Sequence, residues 1–458
     1  MNVLKSQIIS DTLNILPDNL KITLQRNSSC CFRDKYKEHT IPINMVNFNR
    51  IIQVDTFEKY VVVEPNVTME EITDYLLNLK EGPHMLPVTP EFKHITIGGA
   101  VNGLGIESSS CKFGLFENTI LKYEVLLTDG KIIDVTKDND HSDLFYSLPG
   151  SYGTLGIVTK VYIRIIPTEF YIKVKYQVYN SPKELEGIFD LKIKNEDVDF
   201  MEGIVLKDKT ILSIGESTNI GYYDWLFNTS SFNYSWSKWY INHLEDSVKE
   251  KKEYEEYIPI KDYLFRWDRG AFWFASNRLE CSWWNRIFYG SKLTSKDLYE
   301  RAKRKNPFER EKHKVVQDLL VPLENMSNFI EETKKVAEVY PLWLCPIRTF
   351  EDGKTIFSIP YDGEIYVDVG MYGSWKEKEE NLDPPDFYRK NKEIENILYN
   401  HYGYKFLCNM NYYSKEFFWK IYNKEKYEEI KEKYDSKNNL LNIYEKVCSF
   451  YIKNFENK

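Results

Sequence analysis

The sequence predicts an α+β protein of two domains, and three observations lead there. At 458 residues the chain is long enough to bury two cores. Short β-rich runs bounded by turn residues alternate with helix-like segments that carry caps and one apolar face. After Pro167 the texture changes, from a glycine-dense part to longer alternating strands. The expected division is residues 1–168 and residues 169–458, with an aromatic-rich insert at about 221–310.

Composition sets the class. Hydrophobic residues at 42% and charged residues at 28% are ordinary for a globular chain, so no special architecture is called for. A net charge of −8 without a basic stripe excludes nucleic acid as the partner. The seven cysteines form no C-x-x-C pair and the histidines no ligand spacing, so reduced thiols and no metal site are expected. The opening "MNVLKSQIISDTLNILPDNLK" is too polar for a signal peptide or anchor, and no run of about 18 apolar residues follows. A cytoplasmic protein is expected, with no transmembrane anchor.

The elements follow in order. "IIQVDTFEKYVVVEP" reads as a hairpin turning at Phe57 and Glu58. In "TMEEITDYLLNLK", Thr68 and Glu71 form a capping box ahead of an apolar face of Ile72, Leu76 and Leu79. "YEVLLTDGKIIDVT" is a second hairpin, turning at Asp129-Gly130, and "LGIVTKVYIRIIP" a further strand. Beyond Pro167, "FYIKVKYQVYN" alternates as a strand, and "SPKELEGIFDLK" is a helix with Ser181 as cap and Pro182 in the first turn. "VDFMEGIVLKDKTILSIGES" is another hairpin. Strands resume at "VVQDLLVPL", "PLWLCPIR" and "EIYVDVGMYG", and "NKEIENILYNHYG" and "KEFFWKIYNKEKYEEIKEKY" are amphipathic helices that close the chain. The many Trp and Phe between Trp225 and Phe288 fit either aromatic packing or a surface facing lipid or a greasy substrate.

One stretch carries chemistry. "HITIGGAVNGLGIESSSCKFG" places Gly98, Gly99, Gly103 and Gly105 after a β-like run. An interior glycine costs a helix roughly 1 kcal/mol, so the stretch is expected to be a turn whose bare amides cradle an anion such as a diphosphate. The spacing is neither the G-x-G-x-x-G dinucleotide fingerprint nor a P-loop. "LPGSYGTLGIVT" adds Gly150, Gly153 and Gly156 ahead of a strand, which suggests one extended ligand held along its length.

With "LQRNSSCCFRDKYK" upstream, these pieces resemble the FAD-linked oxidase family with a vanillyl-alcohol-oxidase (PCMH) type FAD domain. "VVVEPNVTMEEIT", "LPVTPEFKHITIGGAVNGLGIESSSCKFGLFENTI", "EYIPIKDY" and "YPLWLCPI" are similar, in order and spacing, to its delta(24)-sterol reductase branch, to which G-I-E-S-S-S and Y-P-x-W-L-C-P are specific. The resemblance implies an α+β FAD domain followed by an α+β substrate or cap domain. It implies FAD and NADPH as cofactors, a sterol-like substrate, and a hydride transfer completed by a protein proton donor. Two alternatives share the fold: an alcohol or sugar oxidase or dehydrogenase, and a scaffold that binds FAD or sterol without turnover. A peripheral membrane contact is expected from the aromatic insert; the oligomeric state is not indicated.

The implied cofactor set is Thr96, Ile97, Gly98, Gly99, Ala100, Val101, Asn102, Gly103, Leu104, Gly105, Ile106, Glu107, Ser108 and Ser109, with Gly153, Gly156, Ile157 and Val158. Glu107, an acid beside a diphosphate, is expected to turn away from it and to hydrogen-bond backbone amides or a flavin or ribose hydroxyl. The first loop reads Arg26-Asn27-Ser28-Ser29-Cys30 where the family is richer in glycine. It holds no histidine, and no cysteine directly precedes Ile97, so FAD is expected to be non-covalent. An isolated alkene is unpolarised and needs an acid opposite the hydride. The candidates are Tyr372, Asp368, Gln317, Asn411 and Tyr412, with Asp318 and Asn409 beside them in the same segments.

Overall fold

The computed structural model describes residues 2–26, 40–196, 198–277, 279–305, 314–350, 355–360, 362–374 and 384–451. The first hairpin pairs β1 (Ile51–Asp55) with β2 (Tyr60–Val63), as alternation predicts. Helix α1 (Met69–Leu77) begins at the Thr68–Glu71 capping box: Glu71 N–H donates to the Thr68 hydroxyl, and Thr68 N–H to the Glu71 carboxylate. Its Ile72 and Leu76 are buried, whereas Leu79 lies past its end. The Asp129-Gly130 turn joins β3 (Ile120–Leu126) to β4 (Ile132–Thr136), and Gly130 takes the left-handed φ of 81° that this turn needs. With β5 (Ile157–Arg164) these strands make an antiparallel sheet in the order β1-β2-β5-β3-β4.

The glycine stretch is not the expected turn after a strand. Residues Ile97–Gly103 form a helix, α2, and the segment before it makes only an isolated bridge between Thr96 and Thr68. Thr96 caps the helix by accepting the Gly99 N–H at 3.1 Å. Gly98, Gly99, Gly103 and Gly105 have ordinary φ, and the left-handed residue is Leu104 at the helix end. The glycines therefore answer a need for space rather than for conformation.

The second sheet has eight antiparallel strands: β6 (Tyr171–Tyr179), β7 (Phe200–Val205), β8 (Thr210–Thr218), β9 (Glu253–Pro259), β10 (Lys314–Pro322), β11 (Leu342–Arg348), β12 (Ile365–Ser374) and β13 (Tyr404–Lys405). Their order is β9-β6-β8-β7-β11-β12-β10-β13. Helix α3 (Lys183–Lys194) starts one residue later than read: Pro182 is its cap position, and the Glu184 carboxylate, not Ser181, takes the Asn180 and Ser181 N–H groups. On one face of the sheet, Val315, Leu319, Val367 and Val369 pack with Leu185, Phe329 and Ile394. The other face carries Val316, Leu320, Trp343, Cys345 and Tyr372 into the core shared with α2.

The aromatic insert divides in two. Trp239, Trp267 and Trp273 are buried, and β9 is an edge strand of the sheet. Helices α4 (Tyr222–Phe227) and α5 (Trp283–Tyr289) bury none of their residues. α6 (Ser295–Lys303) follows, and α7 (Pro384–Asn400) covers the far face of the sheet. The last predicted helix is two, α8 (Lys415–Ile421) and α9 (Lys424–Tyr434), because Asn423 starts a new cap by accepting the Lys426 N–H. α9 and its turn reach back to the first sheet, where Thr128 donates to Asp435 at 2.9 Å.

Candidate active site

A cavity of about 630 Å³ lies between α2 and the near face of the eight-stranded sheet. Thr96, Gly99, Ala100, Asn102, Gly103, Leu104, Gly105 and Ile106 line one wall. Val316, Asp318, Trp343 and Tyr372 line the opposite wall, with Cys408 and Asn409 from the loop after β13. Tyr152 joins them from the second glycine segment, and Arg26 from the start of the first loop. Asn27, Ser28, Ser29 and Cys30 lie outside the described residues.

The glycines differ in what they allow. A Cβ on Gly98 would meet the Pro65 Cβ at 2.9 Å and carbonyl at 3.1 Å, and one on Gly105 would meet Pro90 Cγ at 2.7 Å. Those two keep protein close to protein. Among the described residues, a Cβ on Gly103 would meet only Cys408 Cβ at 4.0 Å. Neither backbone conformation nor packing accounts for Gly103, so what it preserves is the open volume beside α2. That wall fits a flat, extended cofactor lying along the helix.

The other members of the expected cofactor set lie elsewhere. Ile97, Gly98 and Val101 are buried and do not line the cavity. Ile157 and Val158 begin β5, paired with Leu126 and Val125, and Gly156 lies so close to Val125 that a Cβ would approach its Cγ1 at 2.6 Å. Gly153 has a left-handed φ of 71° and a neighbour in Leu24.

Glu107, Ser108 and Ser109 form a seam between α2 and the sheet. Glu107 is fully buried and accepts from Ser108 Oγ at 2.8 Å and Arg266 Nη2 at 2.7 Å. Arg266, also at 0% exposure, donates through Nε to Glu202 at 3.0 Å. Glu202 in turn accepts from the indoles of Trp267 and Trp343. The Ser108 carbonyl takes the Met201 N–H, and the Glu107 carbonyl the Cys345 thiol. Glu107 does turn away from the cavity and meets the backbone amide of Ser108, but its other side-chain partners are the Arg266 guanidinium and the Ser108 hydroxyl rather than the expected flavin or ribose hydroxyl. Burial raises its carboxyl pKa against the pull of Arg266. Arg266 and Glu202 were not singled out from the sequence, because 159 residues separate Arg266 from Glu107 and no local pattern links them.

The acid groups collect on the sheet wall. The Tyr372 hydroxyl donates to one Asp318 carboxylate oxygen and Asn409 Nδ2 to the other. Asp368 sits on the same face two residues from the Gly370–Asp318 register pair, and both its oxygens are buried. Burial, then the neighbouring Asp318 and Glu91, pushes the Asp368 carboxyl well up. Burial also raises Glu91, which lines the cavity, and holds the Tyr372 phenol in its protonated form. Gln317 points to the far face and donates to Asn391 on α7 at 2.7 Å, so it does not reach the cavity. Asn411 ties backbone carbonyls of Leu407, Asn409 and Val447, and Tyr412 packs with Phe387; neither lines the cavity.

The aromatic roof comes from the insert. Gly270, Ala271 and Phe272 have φ of 91°, 44° and 59°, a left-handed run that costs two non-glycine residues roughly 1–2 kcal/mol each. Phe272 N–H to the Trp267 carbonyl and Ala275 N–H to the Gly270 carbonyl hold it. The turn places Phe272 4.7 Å from the Tyr372 ring and 5.2 Å from Trp343.

Asp318 gives a measurable signature. Burial pushes its carboxyl up to about 6, with Tyr372 and Asn409 pulling the other way. A carboxyl raised on folding adds stability that is complete below its unfolded pKa near 4 and is lost as pH rises through 6. Asp318→Asn should therefore be more stable than the parent at pH 8, by roughly 3 kcal/mol. The gain should shrink below pH 6 and vanish near pH 4. Urea unfolding across that range checks it; a gain independent of pH would be inconsistent with a buried, titrating Asp318.

A family model described as an FAD binding domain matches residues 9–136. The chain is 30% identical over 424 residues to the delta(24)-sterol reductase of Homo sapiens, covering 90% of this chain and 79% of that one. It is 27% identical over 441 residues to the delta(24)-sterol reductase of Arabidopsis thaliana, covering 88% and 76%. A delta(24)-sterol reductase homolog of Caenorhabditis elegans is 32% identical over 359 residues, covering 74% and 66%.

Proposed function

This chain belongs to the delta(24)-sterol reductase family of FAD-dependent oxidoreductases, and on that premise we propose that it reduces the C24–C25 double bond of a sterol side chain with NADPH as electron donor. The observation that carries the reading is the pairing of two walls across one cavity: a helix face left open at Gly103, and a sheet face bearing Tyr372 hydrogen-bonded to Asp318. Residues 1–168 are read as the FAD domain and residues 169–458 as the domain that covers the flavin and shapes the substrate site.

Bound FAD supplies the transfer of hydride from NADPH to one carbon of the alkene. The chain supplies the rest. Gly103 leaves open volume beside α2, where the cofactor would lie facing the sheet. Phe272 and Trp343 give an apolar surface that excludes water from the alkene. Tyr372 Oη holds the proton for the second carbon. When Asp318 is ionised, it accepts that hydrogen and holds it back. When Asp318 is protonated, the bond can reverse, which frees the phenol proton and leaves a second one to replace it.

The test is spectroscopic. The purified protein should show flavin absorbance, bleach when NADPH is added without oxygen, and recover colour when a Δ24-sterol follows. Bleaching by an alcohol in place of NADPH, with recovery by oxygen, would point to an oxidase of the same fold instead.

A further inference from the structure

We infer that α5 and α6 form a docking face for an anionic lipid bilayer, set so that the cavity opens toward the membrane. Four observations meet there. α5 (Trp283–Tyr289) buries none of its residues, and Trp283, Trp284 and Phe288 are 55%, 65% and 63% exposed. Their rings form one surface: Trp283 and Trp284 lie 4.8 Å apart, and Trp284 stacks on Phe288 at 6.2 Å. The patch extends through the stacked Tyr234–Trp236 pair, because the Ser235 backbone between them abuts Gly290 at the end of α5.

The charge nearby is the second observation. From Ser282 to Lys305 there are seven Lys or Arg against two Asp or Glu, in a chain whose net charge is −8. Lys292, Lys296, Lys303 and Arg304, which follow the aromatics in the chain, are exposed. Tryptophan and tyrosine next to lysine and arginine is the chemistry of the headgroup region, where rings enter the acyl boundary and cations meet anionic lipid. A protein interface is depleted in lysine, so this mixture favours lipid over a second copy of the chain.

Third, the same helices line the cavity. Asn285 and Tyr289 on α5 and Arg301 and Ala302 on α6 reach it. A bilayer held against the exposed side of α5 would thus lie next to the cavity wall that α5 itself supplies. Fourth, among the described residues no helix is long and apolar enough to cross a membrane, so a bilayer contact made by these residues is a surface contact. The route for substrate rests on reading that substrate as a sterol, whereas the docking does not.

The experiment therefore uses sterol-free vesicles. The full chain with its FAD is floated with phosphatidylcholine vesicles, with and without phosphatidylserine. Recovery with the vesicles is expected, and more of it with phosphatidylserine. Trp283→Ser with Trp284→Ser should lower the bound fraction at least on the order of tenfold. Lys303→Glu with Arg304→Glu should remove the phosphatidylserine increment and leave binding to neutral vesicles. Both variants change exposed side chains, so unchanged flavin absorbance and bleaching by NADPH report an intact fold. Equal recovery of parent and aromatic variant overturns the inference, as does a parent that floats with neither vesicle. So does a parent that is dimeric, becomes monomeric on aromatic substitution and still floats. A protein that docks but reduces no sterol would leave this face standing and count against the substrate reading alone.

Discussion

Tyr372→Phe is expected to lower turnover of a Δ24-sterol on the order of 10²–10³-fold while FAD content and bleaching by NADPH stay as in the parent. Phenylalanine keeps the ring that packs 4.7 Å from Phe272 and 5.8 Å from Trp273, so only the hydroxyl is lost. The two half-reactions separate the effects. Reduction of the cofactor by NADPH needs no proton donor for the alkene, whereas reoxidation by the sterol does. The parent should also lose sterol turnover as pH rises through about 6, because Asp318 then becomes an acceptor that retains the Tyr372 proton. That limb should be absent in Tyr372→Phe. Stopped-flow absorbance with each substrate, across pH, makes the measurement. A sterol half-reaction within about threefold of the parent would remove Tyr372 as the acid.

The sheets were legible in the sequence because their signals are local. Alternation, Asp129-Gly130 and the Thr68–Glu71 capping box each act within a few residues, and each gave an element where it was read. The side of β10 that faces the cavity was not legible. Both faces of that strand are buried, so Val315 to Val321 run apolar without alternation, and a shift of one residue exchanges Gln317 for Asp318. The glycine stretch misled for a related reason. Helix propensity argues against glycine, but the cap at Thr96 and the contact of Gly98 with Pro65 are supplied by residues outside the stretch. The resemblance to a known family pointed to segments that meet at one cavity. It did not say that G-I-E-S-S-S is a seam, since its partners Arg266 and Glu202 stand far along the chain.

That seam makes the second large prediction. Arg266→Met is expected to cost about 3–5 kcal/mol, a large share of the stability of a typical domain. The guanidinium bridges Glu107 and Glu202, and all three side chains are at 0% exposure. Removing it leaves two carboxylates in an apolar setting with Trp267 and Trp343 as the remaining donors to Glu202. Burial raises the Glu107 carboxyl on folding, so its contribution to stability is complete below about pH 4 and is lost as pH rises through its folded pKa. The deficit of Arg266→Met should therefore be larger at pH 8 than at pH 5.5. Adding Glu107→Gln and Glu202→Gln to the variant should recover part of the loss, because the uncompensated charge and not the missing contact is the main cost. Denaturant unfolding of the parent, Arg266→Met and the triple variant at both pH values supplies the comparison; equal midpoints for parent and Arg266→Met would show that the bridge holds nothing. The position of the seam gives the same substitution a second effect. Glu107 directly follows Ile106 on the helix wall of the cavity, and Glu202 anchors Trp343 on the sheet wall. Loosening Arg266 should let those walls move apart, so a variant that still folds is expected to lose FAD on dilution where the parent retains it.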